Sequence, residues 1–364
     1  MKISCLEENL SKGLNIVSRL VGTKGTLEIL SHILLTTEKG RLKLSATNLE
    51  IGINYKIGGK VEEEGSITVP ARLFTELVSQ LPEGKLLIST DKNSVLVKSR
   101  DYESRVNGLS AEEFPLIPKI KEKKSFSVLA GDFKEAISVV SFASAIDETR
   151  PVLSGIYMNI KKGKMALAAT DSYRLAEKII EVKDDSKETE VIIPNKSLNE
   201  LTRVISDYDG MIDVFVDENQ IMFETDDFGF TSRLVEGKFP DYKQIIPTVS
   251  ETVATVMVND FVKIIKVAAL FSGESVGSIN IEISPKGKIS ARSSSSQYGD
   301  SNASCEARVE GKEIEIVFNS KYILDVLANI NGEVQFEVNG KLNPGVIKKV
   351  GDKSYVYVIM PLRA

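Results

Sequence analysis

The phrase GRLKLSATNLEIGI, starting at Gly40, returns 123 residues later as GKMALAATDSYRLA, starting at Gly163. Each copy has a Gly, an alternating stretch, Ala-Thr-Asn or Ala-Thr-Asp, and a second alternating stretch. A worn third copy, GKISARSSSSQYGD, spans 287–300. Alternation with period two marks half-buried strands, and Asn or Asp between them marks a turn. The period is far longer than that of a solenoid repeat, so the chain is expected to form repeated domains.

Other landmarks recur in step. SITVPARLFTELVSQLPEG begins at Ser66, EVIIPNKSLNELTRVISDYDG at Glu190 and EIVFNSKYILDVLANINGE at Glu315. Counted from Pro70, Pro194 and Asn319, apolar residues fall at +4, +7 and +11: Phe74, Leu77, Leu81; Leu198, Leu201, Ile205; Ile323, Val326, Ile330. That spacing places them on one helical face. A helix at the start of each unit has anchors Leu10, Leu14, Val17; Phe133, Ile137, Val140; and Phe261, Ile265, Ala268. The units also close alike, with FPLIP (114–118), FPDYKQIIP (239–247) and VIMPLRA at the end of the chain. The reading is an α+β chain of three tandem similar domains, 1–121, 122–249 and 250–364, each with two helices packed on antiparallel sheets. The linkers are IPKIKEKKS and IPTVSETV.

Position +2 of the second helix is basic in every unit: Arg72, Lys196 and Lys321. It points away from the apolar stripe. Position +6 is acidic in every unit, Glu76, Glu200 and Asp325, so the same residues could form i, i+4 pairs on a solvated face. The net charge of −5 does not by itself suggest a nucleic-acid binder. A mixed face still suits a surface that holds DNA through few phosphate contacts.

The sequence offers little chemistry. Cys5 and Cys305 are too far apart in the chain to suggest a metal knuckle or a disulfide framework, and they fit a reducing cytoplasm. No metal or cofactor is expected. The opening MKISCLEENL has no charged stretch followed by an apolar run, so no signal peptide is expected, and no apolar stretch is long enough to span a membrane. Gly273-Glu274-Ser275-Val276-Gly277 fits GxSxG, but a helix precedes it and a strand follows, the reverse of a nucleophile elbow. His32 lies in the apolar run EILSHILL, where a packed structural role fits better than catalysis. Asp184-Asp185 and Asp226-Asp227 read as solvated loops.

VPAR in the first unit, TDSYRLA and KFPDYKQIIP in the second and VIMPLR at the end, in this order and spacing, resemble the bacterial DNA polymerase III beta subunits, the sliding clamps. The resemblance covers the whole chain. It implies a non-catalytic processivity factor with the DNA clamp fold. The protein would be a head-to-tail homodimeric ring that encircles double-stranded DNA without regard to sequence. It would tether the replicative polymerase alpha subunit, the clamp loader and other clamp-motif proteins, with no membrane partner. DNA-contact positions map onto Lys24, Arg72, Lys196 and Arg203. A groove for short linear motifs maps onto Leu153, Thr170, Ser172, Tyr173, Arg174, Leu175, Pro240, Ile245, Asn319, Tyr322, Leu342, Pro344, Val358, Met360, Pro361, Leu362 and Arg363. Without the resemblance, its apolar members read as interdomain core. Dimer-interface positions map onto Arg105, Val106, Leu270 and Phe271.

Geometry favours two chains over one. Six helices about 10 Å apart would close a circle roughly 19 Å across at their axes. Helix bodies about 11 Å thick leave only about 8 Å, too little for a duplex. Twelve helices leave about 27 Å. Lys98, Arg100 and Arg105 on the late strand of the first domain, and Asp300, Glu306 and Glu310 on the edge of the third, have opposite charges that suit such a joint. The other classes weighed are a peptide-binding scaffold with no role on DNA, and a hydrolase at Ser275.

Overall fold

The computed structural model describes residues 1–22, 27–121, 123–147, 149–183, 188–272 and 277–362. The first repeat runs β1 (Lys2–Leu6), α1 (Glu7–Val17), β2 (His32–Glu38), β3 (Arg41–Thr47), β4 (Ile51–Gly58), β5 (Lys60–Glu63), β6 (Ser66–Pro70), α2 (Ala71–Ser79), β7 (Lys85–Asp91), β8 (Ser94–Ser99) and β9 (Tyr102–Asn107). The second runs β10 (Phe126–Leu129), α3 (Ala130–Ser141), α4 (Pro151–Ser154), β11 (Gly155–Lys161), β12 (Lys164–Thr170), β13 (Arg174–Glu181), β14 (Thr189–Pro194), α5 (Asn195–Val204), β15 (Met211–Val216), β16 (Gln220–Glu224) and β17 (Phe228–Arg233). The third runs β18 (Thr252–Met257), α6 (Val258–Ala269), β19 (Ser278–Ser284), β20 (Lys288–Ser295), β21 (Gly299–Glu306), β22 (Arg308–Gly311), β23 (Ile314–Asn319), α7 (Ser320–Leu327), β24 (Glu333–Val338), β25 (Gly345–Lys349) and β26 (Tyr355–Ile359).

The helical periodicity is realised almost residue for residue. All nine anchors on α1, α3 and α6 are fully buried. So are Phe74, Leu198, Leu201, Ile205, Ile323 and Val326 on or just after the second helices. Leu77 departs from the expectation. It is half-buried, and Val78 takes the inward place because α2 buries Ala71, Phe74 and Val78 at i, i+3 and i+7. The basic +2 residues Arg72, Lys196 and Lys321 are exposed. No helix among the described residues is long and apolar enough to cross a membrane.

The chain packs as two compact units. The first is built mainly from Met1–Gly131 and Lys196–Leu234. It holds a five-stranded sheet, β5-β1-β7-β8-β9, and an eight-stranded sheet, β10-β15-β16-β17-β4-β3-β2-β6. Helix α1 packs on β1, β3, β4 and α2. The second unit is built mainly from Asp132–Val182 and Val235–Ala364. It holds a nine-stranded sheet, β14-β11-β12-β13-β26-β25-β24-β18-β22, and a four-stranded sheet, β21-β20-β19-β23. Helix α6 packs on α7 and on β18 to β21, and the Phe336 ring meets those of Phe261 and Phe318. Each unit therefore holds one complete terminal repeat and a share of the middle one.

One rule joins successive repeats. The last strand of a repeat pairs antiparallel with the third hairpin strand of its neighbour. β17 pairs with β4, Phe228 opposite Tyr55 and Phe230 opposite Ile53. β26 pairs with β13, Val358 opposite Leu175 and Tyr357 opposite Ala176. The two strands left over are β9 and β21, each at the edge of its sheet.

Truncating an inward anchor and an outward cation of one helix tests this packing. Phe74→Ala is expected to cost about 3–5 kcal/mol. Arg72→Ala should leave the melting temperature where it was. Equal melting temperatures for the two variants would contradict the assigned faces.

Candidate functional site

The repeated phrase folds as the same turn twice. Between β12 and β13, Thr170 Oγ1 donates to the carbonyl of Arg174 (2.6 Å) and accepts from the Ser172 N–H (3.2 Å). Asp171 Oδ1 accepts from the N–H groups of Tyr173 and Arg174, at 2.9 and 3.0 Å. Ser172 is left-handed, with φ +78°. Between β3 and β4, Thr47 donates to the carbonyl of Ile51, Asn48 accepts from Glu50 and Ile51, and Leu49 has φ +73°. Thr followed by Asn or Asp is what closes this turn, which explains why both copies spell it.

Beyond the turn the copies diverge. The second carries Arg174, whose side chain is only 6% exposed. Its Nε donates to Asp171 Oδ2 at 2.9 Å and its Nη1 to Asp325 Oδ2 at 2.5 Å. The guanidinium lies 4.5 Å from the ring centroid of Tyr322 and 5.6 Å from that of Phe142. Burial disfavours its charge, but Asp325 and Asp171 outweigh burial and hold the pKa above the ordinary arginine value. Arg174 is thus a fixed post tying the turn to α7, with its own two carboxylates in place. In the first copy the same place is held by the buried Ile51.

Around this post lie both core and open surface. Leu175 and Val358 face each other across β13 and β26, and both belong to a buried cluster with Phe239, Tyr242 and Val346. Tyr242 donates to the buried carboxylate of Glu177, which also pairs with Lys243. Burial, followed by that carboxylate, pushes the Tyr242 hydroxyl well up. By contrast, Tyr173, Ile245, Met360 and Leu342 are large apolar side chains left exposed. The tail is pinned where the Met360 N–H donates to the Tyr173 carbonyl (2.9 Å) and the Leu362 N–H to the Val317 carbonyl (2.8 Å). Asn319 caps α7 by accepting from the Lys321 N–H at 2.9 Å, and Tyr357 donates to the Tyr322 carbonyl at 2.9 Å. Leu153 is half-buried on α4, which packs on β12; Pro240 is exposed, and Pro344 and Pro361 are half-buried. Buried anchors ringed by exposed apolar side chains can dock the apolar side chains of a partner.

Models of the three domains of the DNA polymerase III beta subunit match the chain in order: N-terminal over 1–118, central over 128–241 and C-terminal over 243–363. The chain belongs to the DNA polymerase III beta-subunit family. Beta sliding clamps of Staphylococcus epidermidis and Staphylococcus aureus are each 32% identical over 362 residues, covering 96% of this chain and 96% of theirs. The DNA polymerase sliding clamp of Bacillus subtilis is similar in structure at TM-score 0.95 and 28% identity, covering 100% of this chain and 99% of that one. The DNA polymerase III beta subunit of Pseudomonas aeruginosa gives TM-score 0.95 and 28% identity, with both chains covered in full.

The remaining positions carried over from this family divide by environment. Arg72 pairs with Glu76 at 3.0 Å and Arg203 with Glu200, both on exposed helix faces. Lys196 is exposed and has no such pair among the described residues, Glu200 being taken by Arg203. The third expected pair, Lys321 with Asp325, is also absent, since Asp325 serves Arg174. Leu270 is 75% exposed and Phe271 half-buried, while Val106 is buried within its own unit. Arg105 bonds Asp91 at 2.7 Å and Ser94 at 3.0 Å. His32 is buried, with Nδ1 3.1 Å from the Glu28 carbonyl. Lys24, Arg363, Ser275 and Asp184-Asp185 lie outside the described residues. Sequence reasoning missed Asp325 and Phe142 as partners of Arg174. The one signal available was the acidic +6 position itself.

Asp325→Asn is expected to lower stability by about 1–3 kcal/mol, because a buried cation loses one of two carboxylates. Ser172→Gly should be neutral, or stabilising by up to about 1 kcal/mol, because glycine takes the left-handed conformation freely. Chemical denaturation of the two variants measures both. A neutral Asp325→Asn would remove Asp325 from the support of Arg174.

Proposed function

We propose that this chain is a non-catalytic processivity factor that acts as a ring of two copies around duplex DNA in the cytoplasm. Its three domains are taken as 1–121, 122–249 and 250–364. The observation that carries the reading is the joining rule. Each internal join pairs a last strand with a third hairpin strand, and the strands left without such a partner are β9 and β21. β9 of one copy meeting β21 of a second repeats that rule, and two such joints close a dyad. Lys98 and Arg105 lie on or beside β9, and the exposed Asp300, Glu306 and Glu310 on or beside β21. The exposed Leu270 would be covered at the same joint, with Phe271 and Val106 nearby.

Duplex DNA passes through the ring, held by topology and by weak contacts from Arg72, Lys196, Arg203 and Lys24. The groove around Arg174 takes linear motifs of the replicative polymerase alpha subunit, the clamp loader and other clamp-motif proteins. Tyr173, Ile245, Leu342 and Met360 offer it apolar side chains. Methionine adapts to partners of varied shape.

Sedimentation at micromolar and nanomolar concentration is expected to give about 80 kDa, twice the 40.0 kDa chain. A monomer at every concentration would overturn the two-copy ring. Arg72→Glu combined with Lys196→Glu and Arg203→Glu should shorten retention on nicked circular DNA, with sedimentation mass and melting temperature unchanged. Undiminished retention would remove these residues from the DNA-holding face.

A further inference from the structure

The two joins between repeats differ on their sheet faces. At the second join, Glu177 on β13 is buried and satisfied by Tyr242 and Lys243 of the linker. At the first join, the matching position on β4 is Asn54: it lies opposite Ser45 in the hairpin, as Glu177 lies opposite Ala168. Asn54 Oδ1 accepts from Ser45 Oγ at 2.7 Å and brings no charge. Ile117 lies over Gly52, where a Cβ would come within 2.6 Å of it. A cavity of about 630 Å3 remains beyond it within the first unit; its counterpart at the second join, about 490 Å3, is walled by Tyr157 and Tyr242, and its Lys161 and Lys243 pair with Glu188 and Glu177.

Its charge is lopsided. Lys39, Arg41, Lys43, Lys56 and Lys119 line it against Glu38, Glu224 and Asp226, and with Asp227, the partner of Arg41, counted as well one positive charge is left in excess on a chain of net charge −5. Lys43 pairs with Glu38, Arg41 with Asp227 at 3.2 Å, and Lys56 donates to the Asp226 carbonyl at 3.4 Å. Lys39 and Lys119 are exposed, with no ion pair among the described residues. The bond from Lys43 pulls the Glu38 carboxyl below its ordinary range, and the fields of Lys119 and Lys39 add to it. The lining is apolar at Phe215, Met222 and Ile120, of which Met222 and Ile120 are buried. A Cβ built on Gly229 meets nothing within 4 Å, so the lining is open there.

We propose that this cavity at the first join is a second docking site, taking an acidic peptide segment that carries one apolar side chain. The cations supply the charge complement and Phe215, Met222 and Ile120 the apolar seat. Glu38, Glu224 and Asp226 disfavour a phosphodiester backbone, whose charges are evenly spaced, but a peptide can place its carboxylates against the cations alone. The incoming carboxylate stands in for Glu177 of the second join. The site is separate from the groove around Arg174.

The test uses the full chain and fluorescence anisotropy of a fluorescein-labelled pentapeptide, Asp-Glu-Leu-Asp-Glu. Saturable, salt-sensitive binding is expected, and the neutral Ser-Gln-Leu-Ser-Gln should not bind. Lys43→Glu with Lys56→Glu should weaken binding at least about tenfold, as charge reversal at a paired site does. Asn54→Glu should weaken it too, by supplying the cavity with an anion of its own while every cation stays. This second variant keeps the test valid if the double reversal fails to fold. Lys161→Glu with Lys164→Glu, on the corresponding hairpin of the second repeat, should leave binding unchanged. Binding that survives Asn54→Glu, falls equally in the Lys161/Lys164 variant, or is shared by the neutral peptide would overturn the proposal. So would a fluorescein-labelled six-residue oligothymidylate that binds more tightly through Lys43 and Lys56, which would make the site one for nucleic acid.

Discussion

Backbone pairing at the joins between repeats is the constraint on which the architecture depends. A strand at the edge of a sheet leaves a row of N–H and C=O groups to be satisfied. In this chain β4 meets β17 and β13 meets β26, so sheets of eight and nine strands run across the repeat boundaries. This explains why packing divides the chain into two units while its sequence divides into three repeats. The middle repeat contributes four strands to one sheet of each unit. It also explains where the proposed groove lies. Leu175 and Val358 are cross-strand partners at the second join, and the post Arg174 is the first residue of β13.

Much of this was legible in the sequence, and the parts that were not share a physical cause. Periodicity located the helices and nearly all of their buried anchors, because an inward face is a local property of a helix. The repeated Ala-Thr-Asn/Asp located the hairpin turn, because its hydrogen bonds close within five residues. The acidic +6 position allows three i, i+4 pairs, and one of these forms, Arg72 with Glu76. The other two fail for reasons the helix cannot encode. Glu200 has a nearer partner in Arg203, and Asp325 is claimed by Arg174, 151 residues away. The apolar residues assigned to the groove divide in the same way. Leu175 and Val358 are closed into core by Phe239 and Tyr242, whereas Tyr173 and Met360 stay open. Which of these happens is set by how the linker at 239–246 lies over the sheet, and no period in the sequence records that path.

On the proposed function, the pairing of cations with acids bears on motion along DNA. Arg72 with Glu76, Arg203 with Glu200 and Lys263 with Asp260 each share an exposed helix face. An exposed pair of this kind adds little to stability. Its stronger effect is on association. Affinity for a polyanion rises steeply with the number of phosphates that free cations neutralise, each releasing a counterion. A helix face whose arginines already face carboxylates neutralises few phosphates and grips none of them firmly. For a protein that holds its duplex by enclosure, a weak grip is the useful property, because every phosphate contact must be broken and remade as the ring advances. On the ring reading, the net charge of −5, which by composition alone argues against a DNA partner, and the acid beside each helix arginine express one requirement: retention comes from closure of the chain pair, and the inner surface is left free to slide.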